Sequence, residues 1–292
     1  MNIRKINRID IVNNAYVSPL KTLHSPPLEL YYKGTLPVER RPTIAIIGTR
    51  KPSPYGKEVT RTFAAALARH GVIIVSGLAL GTDSIAHQAA LEARGTTIAI
   101  LANGLHRVYP ASHTPLARRI VEQGGALISE KETGYEARPY DFLARNRLIA
   151  GIADAILVIE ATEKSGTLST VQHAVDQGKD IFVVPGPITS ALSAGSNRAL
   201  QQYGYAALKP EDILERIAPQ LLTKRRQAQL PLGDTPLEAQ ILQLIKEGVQ
   251  EGSELAEKCS APVAEYLQAM TMLELKGAIY ALGADRWELK LL

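Results

Sequence analysis

Six short runs rich in β-branched residues are spaced through the middle of the chain: TIAIIG (43–48), VIIVSG (72–77), TIAIL (97–101), ALIS (126–129), AILVIE (155–160) and DIFVVPG (180–186). Each is apolar on both faces, as a strand covered on both sides must be, so the runs read as strands of one parallel sheet. The segments between them, 56–70, 84–94, 114–123, 142–151 and 168–177, have helical period, and Gly71, Gly95, Gly124, Gly151 and Gly178 supply stop signals at or just past most of their ends. Right-handed crossovers through such helices predict an α/β fold: an extended, Rossmann-like, doubly wound parallel sheet.

The chain is longer than this series needs. Residues 1–41 hold HSPPLELYYKG and read as an extended N-terminal strap, residues 42–218 as the Rossmann-like domain, and 219–235, with Lys224, Arg225 and Arg226, as a linker. After it, three short helices and two strands across 283–286 suggest a small winged-helix domain over 236–292. Net charge is +4, yet residues 236–292 carry 5 basic and 9 acidic residues, so the terminal domain is acidic. With no run of about 18 apolar residues, no membrane span is expected. The lone Cys259 allows neither an internal disulfide nor a cysteine zinc site, and the polar start MNIRKINRID has no signal-peptide core, so a cytoplasmic location is expected.

Ligands of open α/β sheets sit at the carboxyl ends of the strands. The loops there are Gly48-Thr49-Arg50-Lys51, then Ser76-Gly77 running on to Asp83, then Lys164-Ser165-Gly166-Thr167, and Gly195-Ser196-Asn197-Arg198. Any one of them could be an ordinary turn with its cap. Four on one edge, with Arg145 and Arg147 nearby, favour a polyanionic ligand. No GxGxxG follows the first strand and no GxxxxGK[ST] occurs, so no dinucleotide or P-loop nucleotide cofactor is expected. The six histidines show no metal spacing. In DFLARNRLIAG (141–151) Phe142 can stack on a base, while Arg145 and Arg147 cannot share a helix face, so purely structural roles would need two separate acidic partners.

GTRKPSPYG (48–56), SGLALGTDSIAH (76–87), GLHRVYP (104–110), RNRLIAG (145–151), EATEKSGTLST (160–170), PG (185–186) and GSNRALQQYG (195–204) resemble, in order and spacing, the DNA-processing protein A family (DprA, also called Smf). The resemblance spans about residues 28–218, with a terminal piece similar to the family's winged helix. It implies a dimer that binds single-stranded DNA and loads the RecA recombinase during natural transformation. Family DNA contacts carry over to Arg50, Phe142, Arg145, Asn146, Arg147, Lys164, Ser165 and Gly166. Gly48, Lys51 and Thr167 adjoin them, and Ser76, Gly77, Gly195 and Asn197 match positions lining the same pocket. This chain has Leu143 where the family usually has Pro, and a short strap where many members carry a helical domain.

The rival is an enzyme of the same fold that cleaves the base from nucleoside monophosphates with a PGGxGTxxE motif. Here Thr170 occupies the position of its catalytic Glu. Asp83 and His87, at i and i+4, could form an orienting pair, but read more simply as a cap and a packing residue. The expected mode is therefore binding without catalysis. The acidic helix APVAEYLQAMTMLEL contains no Lys or Arg, so the winged helix is not expected to read DNA; Met270, Met272, Leu273 and Leu275 are assigned to its core.

Overall fold

The structure is a computed structural model that describes residues 5–222, 233–283 and 285–289. It divides into two units, Met1–Leu221 and Leu222–Leu292. In the first, β1 (Asn7–Ile9) and β2 (Leu30–Gly34) precede β3 (Thr43–Ile47), α1 (Pro54–Arg69), β4 (Ile73–Ser76), α2 (Thr82–Glu92) and β5 (Thr97–Leu101). Then come α3 (Thr114–Glu122), β6 (Ala126–Ser129), α4 (Pro139–Ile152), β7 (Ala155–Val158), α5 (Thr167–Asp176), β8 (Asp180–Val183), α6 (Ala194–Tyr203), β9 (Tyr205–Ala206) and α7 (Pro210–Ile217).

These strands form one sheet in the order β1-β2-β6-β5-β4-β3-β7-β8-β9. From β6 to β9 all neighbours are parallel. Strands β3 to β7 are buried along their whole length, which explains their continuous apolar runs. Helices α1 and α2 pack together on one face with α7 and α3 beside them. On the other face α4, α5 and α6 cover a core that includes Ala45, Ile47, Val75, Ile156 and Val183. The chain winds outward from β3 to β6, crosses back through α4, and continues from β7 on the far side of β3. The sheet therefore changes direction between β3 and β7, where the loops beyond the carboxyl ends diverge and leave a crevice.

The N-terminal segment is more than a strap. Strands β1 and β2 extend the sheet antiparallel, with β2 pairing β6 through Tyr31↔Ser129 to Gly34↔Ala126. Tyr16, Val17, Leu20 and Leu30 are at most 1% exposed and share the core beneath α4. Arg40 anchors the segment by donating to the carbonyls of Tyr16 and Ile152 and to Asp154 Oδ1. Of the expected linker, residues 223–232, including Lys224, Arg225 and Arg226, lie outside the described residues.

The second unit consists of α8 (Pro236–Lys246), α9 (Gly252–Cys259), α10 (Val263–Leu275) and the hairpin β10 (Ile279–Gly283) with β11 (Arg286–Leu289). Ile241, Leu255, Tyr266, Met270, Leu273 and Ile279 form its core. Two residues assigned to that core are not in it: Met272 is 40% and Leu275 76% exposed. A 13-residue helix held on one side by α8 and α9 buries a single stripe, and these two point away from it. Among the described residues no helix is long and apolar enough to cross a membrane.

Because Leu20 fills space against Gly151 of α4, Leu20→Ala should lower unfolding free energy by about 2–5 kcal/mol in urea denaturation. A value below about 1 kcal/mol would mean that the N-terminal segment does not fold as part of the sheet unit.

Candidate functional site

The crevice between β3 and β7 opens into a cavity of about 440 Å³. Gly48 to Lys51 line one wall, Ala79 and Asp83 the next, Phe142, Leu143, Arg145 and Asn146 of α4 a third, and Ser165 to Thr167 with Thr170 a fourth. A smaller cleft of about 60 Å³ is lined by Arg50, Gly77, Leu80, Tyr109, Phe142 and Arg145. Phe142 and Tyr109 form a tilted aromatic pair with centroids 5.3 Å apart. Arg50 and Lys51 are exposed and have no ion-pair partner among the described residues.

Beneath the cavity lies a charged centre that is almost fully buried. Arg145, 7% exposed, donates from Nη1 to the carbonyl of Gly77 at 2.9 Å and to that of Ile100. Gly77 is glycine for this reason, since a Cβ there would lie 2.6 Å from Arg145 Nη2. Asp83 Oδ2 accepts from the N–H groups of Gly77 at 3.0 Å and Ala79 at 3.3 Å, folding the loop after β4 back over α2. Burial pushes the Asp83 carboxyl up, opposed by Arg145 and by those N–H donors. Burial likewise lowers Arg145 to about 10, with Asp83 working against the shift and Arg50 adding to it. The positive charge of Arg145 is thus held in place at a real electrostatic cost, where an anion in the cavity would relieve it.

The N-terminus of α1, which follows the loop Gly48-Thr49-Arg50-Lys51, is already occupied. Glu160, 3% exposed, accepts from Ser53 N at 2.9 Å and Ser53 Oγ at 2.6 Å, and Ser53 Oγ in turn caps Gly56 N. A carboxylate of the protein itself stands where a phosphate could bind. Gly166 and Thr167 at the N-terminus of α5 line the cavity, as does Asp83 in the first turn of α2.

Several residues assigned to the site lie apart from it. Ser76 is fully buried, with Oγ donating to the Ile46 carbonyl at 2.6 Å. Arg147, two positions beyond Arg145 and so turned to another face of α4, donates to both carboxylate oxygens of Glu130, at 2.6 Å to Oε2. Lys164 is exposed in the loop after β7 but lines neither cavity. Gly195 N donates to Ala161 O at 2.8 Å, and a Cβ would meet Thr162 O at 2.4 Å. Asn197 clasps the Gly186 backbone, accepting at 3.1 Å and donating at 3.0 Å. Both brace the floor of the loop instead of lining the cavity. Asn146 does line it and also donates to Ser169 Oγ at 2.9 Å, tying α4 to α5. Tyr109 and Glu160 are not among the residues that the sequence assigns to the site. Tyr109 sits in the GLHRVYP motif, where its aromatic ring was a usable signal; the capping role of Glu160 depends on a contact 107 residues away.

Asp83 and His87 bond to different groups. His87 Nδ1 lies 2.6 Å from Thr97 Oγ1, whose own hydrogen goes to Ile74 O. Its Nε2 is buried without a hydrogen-bond partner among the described residues. Among the described residues no cluster of three His, Cys, Asp or Glu could hold a metal.

The sequence model of the DNA recombination-mediator protein A family matches residues 7–218, and that of the DprA winged helix domain matches 225–284. The chain belongs to the DNA recombination-mediator protein A family. It is 36% identical over 267 residues to Protein Smf of Escherichia coli (strain K12), covering 87% of this chain and 70% of that protein. It is 35% identical to the DNA processing protein DprA of Bacillus subtilis (strain 168) over 73% of this chain and 71% of that one. The X-ray structure of DprA from Streptococcus pneumoniae matches with a TM-score of 0.67 at 32% identity, covering 74% of this chain and 75% of that chain. A structure describing the single-stranded DNA binding mode of DNA processing protein A from Helicobacter pylori matches at 0.65 and 31%, covering 75% of this chain and 97% of that chain.

Burial lowers the pKa of His87 to about 3, with His113 and Arg145 repelling its proton further. The unfolded chain takes up a proton near pH 6.5 that the native state refuses. Stability from this residue is therefore complete above pH 6.5 and drains away as pH falls toward 3, by up to about 1.4 kcal/mol per pH unit. Denaturant titrations at pH 7 and 5 should show this loss, and His87→Gln should remove it; equal slopes in both proteins would contradict the assignment.

Proposed function

We propose that the chain binds single-stranded DNA at the carboxyl edge of its sheet without cleaving it, protecting incoming strands and loading RecA recombinase in natural transformation and DNA recombination. It acts as a cytoplasmic homodimer. The observation that carries the reading is the cavity wall, where Arg50 and Lys51, unpaired among the described residues, line the larger cavity with Phe142, and Arg50 also lines the smaller cleft with the Phe142–Tyr109 pair. Cations with aromatic faces beside them suit a flexible strand, whose phosphates and bases can be addressed separately. A stiff duplex keeps its bases stacked inside and cannot enter narrow loops. The Helicobacter pylori relative, with its single-stranded DNA binding mode, supports the same ligand.

In this reading Arg50 and Lys51 take phosphates, while the N–H groups of Thr167, Leu168 and Ser169 at the start of α5 are already engaged by Ser165 and Gly166. Phe142 stacks on a base with Tyr109 supporting it. Arg145 acts mainly through its field, because Nη1 is committed to two carbonyls; Nη2 has no hydrogen-bond partner among the described residues. Arg147, Lys164, Ser76, Gly195 and Asn197 serve as bracing or peripheral residues. The glycosidase alternative lacks its carboxylate: Thr170 is a buried hydroxyl, and Asp83, the acidic residue lining the cavity, has Oδ2 engaged by the backbone.

Gel-shift titration of single- and double-stranded oligonucleotides at physiological salt tests the reading. Arg50→Ala should weaken oligo-dT binding roughly tenfold or more and reduce the salt slope by about 0.7. Equal affinity for duplex, or release of free base from a nucleotide, would overturn it. Removing the acidic residues 236–292 should leave oligo-dT affinity within about twofold, since an acidic face repels phosphates; a larger loss would place the winged helix on the strand.

A further inference from the structure

A second cavity, of about 560 Å³, lies on the other side of the loop that carries Tyr109. The stretch from Leu105 to Ala111 forms one wall, α3 another, and Lys33 on β2 reaches its rim. Its floor is apolar, made by Leu105, Val108, Ala117, Val121 and Leu127. Its charged residues are Lys33, Arg107, Arg118 and Glu122, with His106 beside them. Lys33 and Arg118 have no ion-pair partner among the described residues, whereas Arg107 pairs with Glu136 across two side chains that are 52% and 72% exposed. So open a pair contributes little and yields to a competing phosphate.

The two cavities share a wall. The same loop turns Tyr109 and Pro110 toward the cleft beside Phe142, and His106, Arg107, Val108 and Ala111 toward the second cavity. This wall is fixed in place: Asn103 Nδ2 donates to the carbonyls of Gly104 and Arg107, Ser129 Oγ holds Asn103 O, and Gly104 N and Gly134 N tie the loop to the 132–135 turn. A strand leaving the first cavity over Tyr109 meets a preformed trough with an apolar floor and a cationic rim. That combination fits unstacked bases below and phosphates above.

We propose that the second cavity is a continuation site that takes the next nucleotides of a DNA strand whose first part fills the cavity at β3 and β7; this rests on the single-strand reading above. The rim charges then govern length dependence, and Arg50 governs entry. The test uses the full chain, with Lys33→Glu and Arg118→Glu combined, and two oligo-dT probes, a short one of about 5 nucleotides and a long one of about 20. For the short probe, affinity of the variant should stay within twofold of the unaltered chain, which also shows that the variant is folded. For the long probe it should fall tenfold or more, with the salt slope reduced by about 0.7 per lost contact. The milder pair Lys33→Gln and Arg118→Gln should give a smaller loss in the same direction. No change on the long probe, or equal loss on both, overturns the continuation site alone. An unaltered chain that binds neither probe overturns the first-cavity reading and this one together.

Discussion

A guanidinium buried at the carboxyl edge of a parallel sheet must be surrounded by acceptors, and much of the site follows from how Arg145 is satisfied. It draws on carbonyls at the ends of two adjacent strands, at Gly77 and Ile100, and on the charge of Asp83 one helix away. Those contacts fix where α4 begins relative to β4 and β5. They also require a residue without a side chain at Gly77, and they make Asp83 gather the N–H groups of the loop above it. Isolated burial of such an ion would cost several kcal/mol, so the arrangement holds only as a set.

A division of labour results. Inward-facing charge supplies a positive field, while the groups that can meet a ligand directly, Arg50, Lys51 and Phe142, stand on loops and a helix start that this centre holds in position. Glu160 completes the pattern from the opposite side. By closing the N-terminus of α1 it removes that helix end as an anion site, while the starts of α2 and α5 still line the cavity.

The sheet itself was legible in the sequence because burial on both faces leaves an unbroken apolar run, a signal that survives without any knowledge of neighbours. The loops at its edge were legible for a related reason: glycines and hydroxyls cluster where backbones approach closely. What stayed hidden depended on partners distant in sequence. Arg145 and Arg147 look equivalent in RNR, and only the positions of Asp83 and Glu130 separate a residue beneath the cavity from one in a half-buried ion pair on another face of α4. Gly195 and Asn197 carry the composition of a binding loop, yet their contacts are with Ala161 and Gly186. Strand β1 is three residues long, too short for any period to show, and β2 is a strand because β6 offers an edge. On α10, Leu275 and Leu273 are the same residue type two positions apart, and which one is buried is decided by where α8 and the hairpin pack.

The pairing of β2 with β6 also has a bearing on how the molecule is made. Tyr31 and Ser129 are partners roughly a hundred residues apart. On a ribosome adding about 5–20 residues per second, the N-terminal strands wait on the order of 5–20 s before their edge exists. Throughout that interval Tyr16, Val17, Leu20 and Leu30, all buried in the finished protein, lack the strand β6 and the helix α4 that complete their core. The N-terminal segment is thus made well before the edge and the helix that bury it, and its apolar residues reach their places only after β6 and α4 have followed.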